Sequence, residues 1–250
     1  MTPSLSIDLA AVILAAGQGK RMHSDLPKVL HAVGGRPMLL HVIDAVKAIG
    51  ARPVIVVTGY QAGRVEAACS GAGVEFARQP EQLGTGHAVM QTEALLAAHS
   101  GTIIVLNGDV PGLRPHTIRR FVDYHASERA SATVLTAMLE NPAGYGRIVR
   151  DEQQRLLRIV EDKDSTPAER AIREVNSGLF CFASDELFPA LKRVTRRNAQ
   201  NEYYLTDVIG LFASEGKGVA AWCIDDAREV AGVNNPDELD AVRRFVGEET

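Results

Sequence analysis

Short, uniformly apolar runs alternate with longer helical patterns along the first half of this chain. Residues 74–77 (VEFA) read as a short strand, whereas residues 11–15 (AVILA), 54–58 (VIVVT) and 103–106 (IIVL) are too short for helices and lack the polar alternation of a half-exposed strand. They read as buried strands. Between them, residues 37–49 set Met38, Leu39, Val42, Ile43, Val46 and Ile49 at helical spacing, and 61–69, 86–99 and 116–126 continue the pattern. This alternation predicts an α/β, Rossmann-like, mostly parallel mixed sheet flanked by helices. After residue 130 the rhythm shortens, with strands expected at 132–139, 146–150, 156–161, 178–182 and 219–224. Helices are expected at 187–194 and 204–214, and a last one opens at Pro236-Asp237 and runs to Phe245. Residues 1–250 read as one domain with two lobes, about 9–130 and the smaller 131–235, then a C-terminal helix and a solvated Glu248-Glu249 tail.

The 250 residues carry 27 Lys and Arg against 31 Asp and Glu, a net charge of −4. No basic field argues for nucleic-acid binding, and 46% hydrophobic residues exclude a disordered chain. No apolar run approaches the roughly 20 residues of a membrane span. Residues 1–9 contain Asp8 and no basic segment, unlike a signal peptide. The three cysteines, Cys69, Cys181 and Cys223, are widely spaced. They are expected as small buried hydrophobes in a reducing, cytoplasmic compartment.

The first strand runs directly into Gly17-Gln18-Gly19-Lys20-Arg21-Met22. Glycines here let backbone N–H groups approach phosphate oxygens. The loop lacks the GxxxxGK[ST] of a Walker A motif and the third glycine of the dinucleotide fingerprint. Arg21 and Lys28, the latter presented by the stiff Pro27, add two cations suited to a polyphosphate. Asp109 follows the strand at 103–106, at the carboxyl end where α/β sheets place ligand-binding groups. Its hard oxygens suit Mg²⁺.

The segment from Leu14 to Met22, followed by Ser24-Asp25-Leu26-Pro27-Lys28-Val29-Leu30-His31, closely resembles the signature of the sugar nucleotidyltransferases. Further motifs agree in order: Glu81-Gln82-Leu83-Gly84-Thr85-Gly86-His87-Ala88, Gly108-Asp109-Val110-Pro111, Gly144-Tyr145-Gly146-Arg147-Ile148, Asn176-Ser177-Gly178, Asn201-Glu202-Tyr203-Tyr204 and Gly232-Val233-Asn234-Asn235. The set spans about residues 9–245 and is similar to the N-acetylglucosamine-1-phosphate uridylyltransferases of cell-wall (peptidoglycan) precursor synthesis. The resemblance implies that UTP and N-acetylglucosamine-1-phosphate combine, with Mg²⁺, into UDP-N-acetylglucosamine and pyrophosphate. It makes residues 9–130 a nucleotide-binding lobe and 131–235 a sugar-binding lobe.

The resemblance also implies residue roles. Arg21 and Lys28 would be catalytic, and Asp109 with Asn234 would hold the metal. Leu14, Ala15, Ala16, Gly17, Gly19, Gln79, Gln82, Gly84 and Thr85 would meet the nucleotide, and a glutamine amide offers both donor and acceptor to a pyrimidine edge. Gly146, Glu161, Asn176, Tyr203 and Thr206 would meet the sugar. Lys20 stands where the loop commonly carries Thr and Asn107 where some relatives have Tyr, and Asn107 is still expected among the substrate contacts. Bifunctional members continue into hexapeptide repeats that form a left-handed β-helix. No such repeat occurs here, so no acetyltransferase activity is expected. Two alternatives stay open: another sugar-phosphate and nucleotide pair, such as glucose-1-phosphate with dTTP, or a non-catalytic nucleotide-sugar-binding domain. Self-association is also left open.

Overall fold

The computed structural model describes residues 8–247. The expectations for residues 1–7 and 248–250 lie outside the described residues. The chain opens with β1 (Leu9–Ala15), the two-residue strands β2 (Ala32–Val33) and β3 (Arg36–Pro37), then α1 (Met38–Ala48), β4 (Val54–Thr58), α2 (Ala62–Ala68) and β5 (Glu75–Arg78). It continues through α3 (Thr85–Met90), β6 (Thr102–Asn107), α4 (Pro115–Glu128) and β7 (Ala132–Met138). The later part holds β8 (Arg147–Arg150), β9 (Leu156–Val160), α5 (Pro167–Arg170), β10 (Glu174–Ala183), α6 (Ser184–Leu191), α7 (Asp207–Ser214), β11 (Val219–Cys223) and α8 (Pro236–Gly247).

One sheet runs in the order β11-β7-β10-β6-β1-β4-β5, with β8 on β10 and β9 on β8. Pairs β1–β4, β1–β6, β4–β5 and β7–β11 are parallel, whereas β10 is antiparallel to β6, β7 and β8. This is the expected mixed sheet, and it runs unbroken across the boundary near residue 130. Alternate residues of β1 serve opposite faces. Ala11, Ile13 and Ala15 join a core with Val42 and Ile43 of α1 and Phe121 of α4. Ala10 and Val12 join another with Val89 of α3, Leu187 of α6 and Phe212 of α7. Both faces of β1 are covered, which explains its uninterrupted apolar sequence.

The helix expected over 86–99 ends at Met90, and turns follow. Buried Thr92 donates its hydroxyl to the Val89 carbonyl at 2.7 Å, a back-bond that competes with helix continuation. Strand β10 is longer than the expected 178–182, because a register shift between Asn176 and Phe180 hides its period. The β2–β3 hairpin was not expected, although Gly34-Gly35 between its strands is the two-residue hairpin signal. Cys69 and Cys181 are buried as expected, but Cys223 is exposed, at the end of the edge strand β11.

Candidate active site

The chain passes from β1 to β4 and β5 on one side, then returns to β6 on the other side of β1. Such a reversal opens a crevice at the carboxyl ends of the two strands. Leu14 pairs with Asn107 there, and the Gly108 amide donates to the Leu14 carbonyl at 2.9 Å. Asp109 follows at once, only 7% exposed.

Lys28 reaches into this crevice. Its Nζ forms an ion pair with Asp109 Oδ2 and donates to Asn234 Oδ1 at 3.1 Å. Residues 81 and 206 positions away from Lys28 therefore meet at one ammonium group. Gly19 lies against the stem of Lys28. Its φ is +65°, and a Cβ there would come 2.6 Å from Lys28 Cβ, so only glycine fits. Asn234 is fixed from its own side. Its amide donates to Glu238 Oε2 at 2.6 Å, and the Glu238 amide donates to Asn235 Oδ1 at 2.9 Å, which ties it to the start of α8. The Val233 amide donates to the Asp109 carbonyl at 3.1 Å, and Val233 packs with Met22, Val33, Met38 and Leu239.

Asp109 Oδ1 is buried and has no hydrogen-bond partner. With Asn234 Oδ1 it offers two hard oxygens beside the glycine loop that follows β1. That donor set fits Mg²⁺, which takes few protein ligands and completes its shell with phosphate and water. Among the described residues no group of three or more His, Cys, Asp or Glu could close around a metal ion. A metal here would therefore depend on ligands from outside the chain.

Two cavities meet at this point. One, of about 350 Å³, is lined by Leu14, Ala16, Gly17, Lys28, Gln79, Gln82, Gly84, Thr85, Asn107, Asp109, Glu202 and Asn234 among others. Gln82 Nε2 donates to the Ala16 carbonyl at 2.9 Å, and buried Gln79 Nε2 donates to the Gly84 carbonyl at 3.0 Å. Thr85 starts α3 without capping it. Its Oγ1 accepts from the Leu205 amide at 3.1 Å instead, while the Gly86 amide donates to the Tyr203 carbonyl at 2.7 Å.

The other cavity, of about 210 Å³, is lined by Leu14, Thr85, Asn107, Asp109, Tyr145, Gly146, Glu161, Asn176, Gly178, Thr206 and Asn234 among others. The β10 bulge shapes it. Asn176 Oδ1 accepts from the Gly178 amide at 2.8 Å, and the Ser177 hydroxyl donates to the Leu135 carbonyl at 2.7 Å. Burial raises the Glu161 carboxyl above its ordinary range, partly offset by the Thr206 hydroxyl, which donates to Oε1 at 3.0 Å. Burial also raises the Tyr145 hydroxyl, with Glu238 and Asp109 adding to the rise and Arg21 opposing it.

Four expected contacts line neither cavity: Ala15, Gly19, Arg21 and Tyr203. Ala15 is buried in the sheet. Gly19 acts by supporting Lys28. Tyr203 stacks on His87 and holds the Gly86 turn through its backbone. Arg21 and Lys20 are exposed on the single helical turn Lys20–Met22, whose Met22 is buried. Tyr145 and Gly178 are lining residues that no role was expected for, though both lie inside the quoted motifs.

Residues 11–204 match the family of MobA-like NTP transferase domains. The chain is 45% identical over 240 residues to the bifunctional protein GlmU of Pelotomaculum thermopropionicum, covering 96% of this chain and 52% of that protein. It is 51% identical over 225 residues to the bifunctional protein GlmU of Halalkalibacterium halodurans, covering 90% and 49%. The chain thus spans about half the length of these curated relatives. Among solved structures, a UDP-glucose pyrophosphorylase complexed with UDP-glucose is similar with a TM-score of 0.78 at 16% identity, covering 98% of this chain and 100% of that one. At that identity the likeness is one of fold.

Proposed function

The chain belongs to the MobA-like NTP transferase family, and on that premise we propose that it is a Mg²⁺-dependent uridylyltransferase. It joins UTP to N-acetylglucosamine-1-phosphate and releases pyrophosphate. The observation that carries this reading is the shared wall of the two cavities: Leu14, Thr85, Asn107, Asp109 and Asn234 line both. Two reactants held on either side of that wall have their reacting groups beside Asp109.

In this reading the residue 9–130 lobe binds the nucleotide and the residue 131–235 lobe binds the sugar phosphate. The backbone at Ala16 and Gly17, which line the larger cavity, receives the triphosphate, and Gln79 and Gln82 face the uracil and ribose. Glu161 accepts from sugar hydroxyls, and Asn176 and the Gly146 backbone position the acetamido sugar. Both reactants are anions, so the chain must offset their repulsion and align them. Lys28 brings its ammonium to the α-phosphate, where negative charge develops, and Arg21 adds a second cation from the loop edge. Asp109 and Asn234 would hold Mg²⁺, which would supply further positive charge at the phosphoryl oxygens. The attacking oxygen belongs to the sugar phosphate, so no protein nucleophile is required.

Pyrophosphate release from UTP and N-acetylglucosamine-1-phosphate with Mg²⁺ tests this directly. A substrate panel ranked by kcat/KM is expected to place that pair first. Preference for glucose-1-phosphate or dTTP would overturn the specificity. UTP binding by calorimetry with no turnover on any acceptor would overturn the enzyme reading altogether.

A further inference from the structure

Arg147, the first residue of β8, is only 2% exposed, and no larger side chain is buried so fully among the described residues. Its Nη2 donates to Asp162 Oδ1 at 2.9 Å, and its Nη1 donates to the Tyr145 carbonyl. Its Nε is buried with no partner. A buried guanidinium that is not fully satisfied is a costly way to fill space, and an apolar side chain of similar volume would pack with less penalty. What the charge accomplishes here is therefore positional.

The register shows what it positions. Arg147 pairs with Val160 of β9 and with Val175 of β10. Gly146, Glu161 and Asn176 are the next residues to Arg147, Val160 and Val175 respectively, and all three line the smaller cavity. The Asn176 amide donates to the Gly146 carbonyl at 2.8 Å, which closes the corner on one side. On the other side no strand pairing continues past Val160, and the span from Tyr145 to Asp162 is held by the guanidinium. One fork of fixed geometry thus joins the loop before Gly146 to the loop after Glu161.

We infer that Arg147 is the positioning residue of the sugar side. It sets the distance between Gly146 and Glu161 without touching substrate. The inference rests on the sugar-site reading above.

The test compares Arg147→Met and Arg147→Lys with the wild type in steady-state kinetics and hydrogen exchange. Arg147→Met is expected to raise KM for the sugar phosphate about tenfold or more, with KM for UTP within about twofold. Arg147→Lys should recover part of the loss, because a single ammonium can meet Asp162 but cannot reproduce the fork. Exchange should quicken together in segments 144–147 and 161–165, while β6 stays protected. A purely structural role would lower Tm without splitting the two KM values. An unchanged sugar KM in the folded variants, or parallel rises in both KM values, would overturn the inference. If Arg147→Met does not fold, Asp162→Asn should give a smaller split of the same sign, and no split would overturn the inference equally. A wild type without sugar-phosphate turnover would refute the functional reading instead. Exchange would still decide the clamp, since unchanged or uncoupled exchange in the two segments refutes it.

Discussion

On the side of the cleft proposed for the nucleotide, the walls are turns held through backbone carbonyls. The Tyr60 amide and Gln82 Nε2 both donate to the Ala16 carbonyl, and Gly86 and Tyr203 join main chain to main chain. On the side proposed for the sugar, the walls are antiparallel strands crossed by ion pairs. Arg147 meets Asp162, and Arg150 meets Glu174 through two bonds of 2.8 and 2.7 Å. A loop that receives phosphate must leave its N–H groups free, so it is fixed through carbonyls and glycine geometry. A pocket that must discriminate hydroxyls needs fixed side chains, and buried charge pairs rigidify the strands that bear them. The two cavities share the wall that contains Asp109.

The comparison predicts unequal responses to substitution. The largest concern the meeting point. Asp109→Ala should reduce turnover by roughly a thousandfold or more at ordinary Mg²⁺, with circular dichroism unchanged, and Lys28→Ala should reduce kcat by about a hundredfold. Near-normal turnover in Asp109→Ala would remove the metal assignment and with it the shared wall. Gly178→Ala comes next. Gly178 has φ +83°, and a Cβ there would lie 2.3 Å from Asn107 Nδ2. The strain should destabilise the fold by about 2 kcal/mol and raise the sugar KM more than the UTP KM. Equal rises would mean that the bulge does not belong to one side.

A smaller effect should touch neither side. His125 of α4 is buried, with Nδ1 2.7 Å from Thr133 Oγ1, and burial lowers its imidazole to about 4. The unfolded chain takes up this proton near pH 6.5, and the folded chain resists it until about 4. Its contribution to stability is therefore complete above pH 6.5 and declines as the pH falls toward 4. At pH 5 the loss should be about 2 kcal/mol. Denaturant melts of wild type and His125→Gln at pH 7 and pH 5 check this. The variant should show the shallower pH dependence, with both KM values unmoved at pH 7.

The same contrast governs what was legible in the sequence. The loop from Leu14 to Lys28 is contiguous, and its glycines, Pro27 and Lys28 can be read as a phosphate loop in one pass. Asp109 could be read from the strand that precedes it. Its pairing with Asn234 could be reached only through family resemblance, because the contact is made by Lys28 and by the Val233 amide across the fold. Arg147 falls inside a quoted motif, but its role is not legible there, since an arginine before Ile148-Val149 looks like any cation at a strand end. Its role appears only when β8, β9 and β10 are in register. Arg21 was legible as a cation, but its exposure on the turn could not be foreseen from the motif.

In the proposed division of the cleft, the two sides hold different reactants across one wall. It is tested most directly by measuring both KM values in Asn176→Ala and in Gln82→Ala. Opposite splits are expected: Asn176→Ala raises the sugar-phosphate KM about tenfold and leaves UTP within about twofold, and Gln82→Ala does the reverse. If either substitution moves both KM values together, or moves the KM assigned to the other side, the division of the cleft is contradicted.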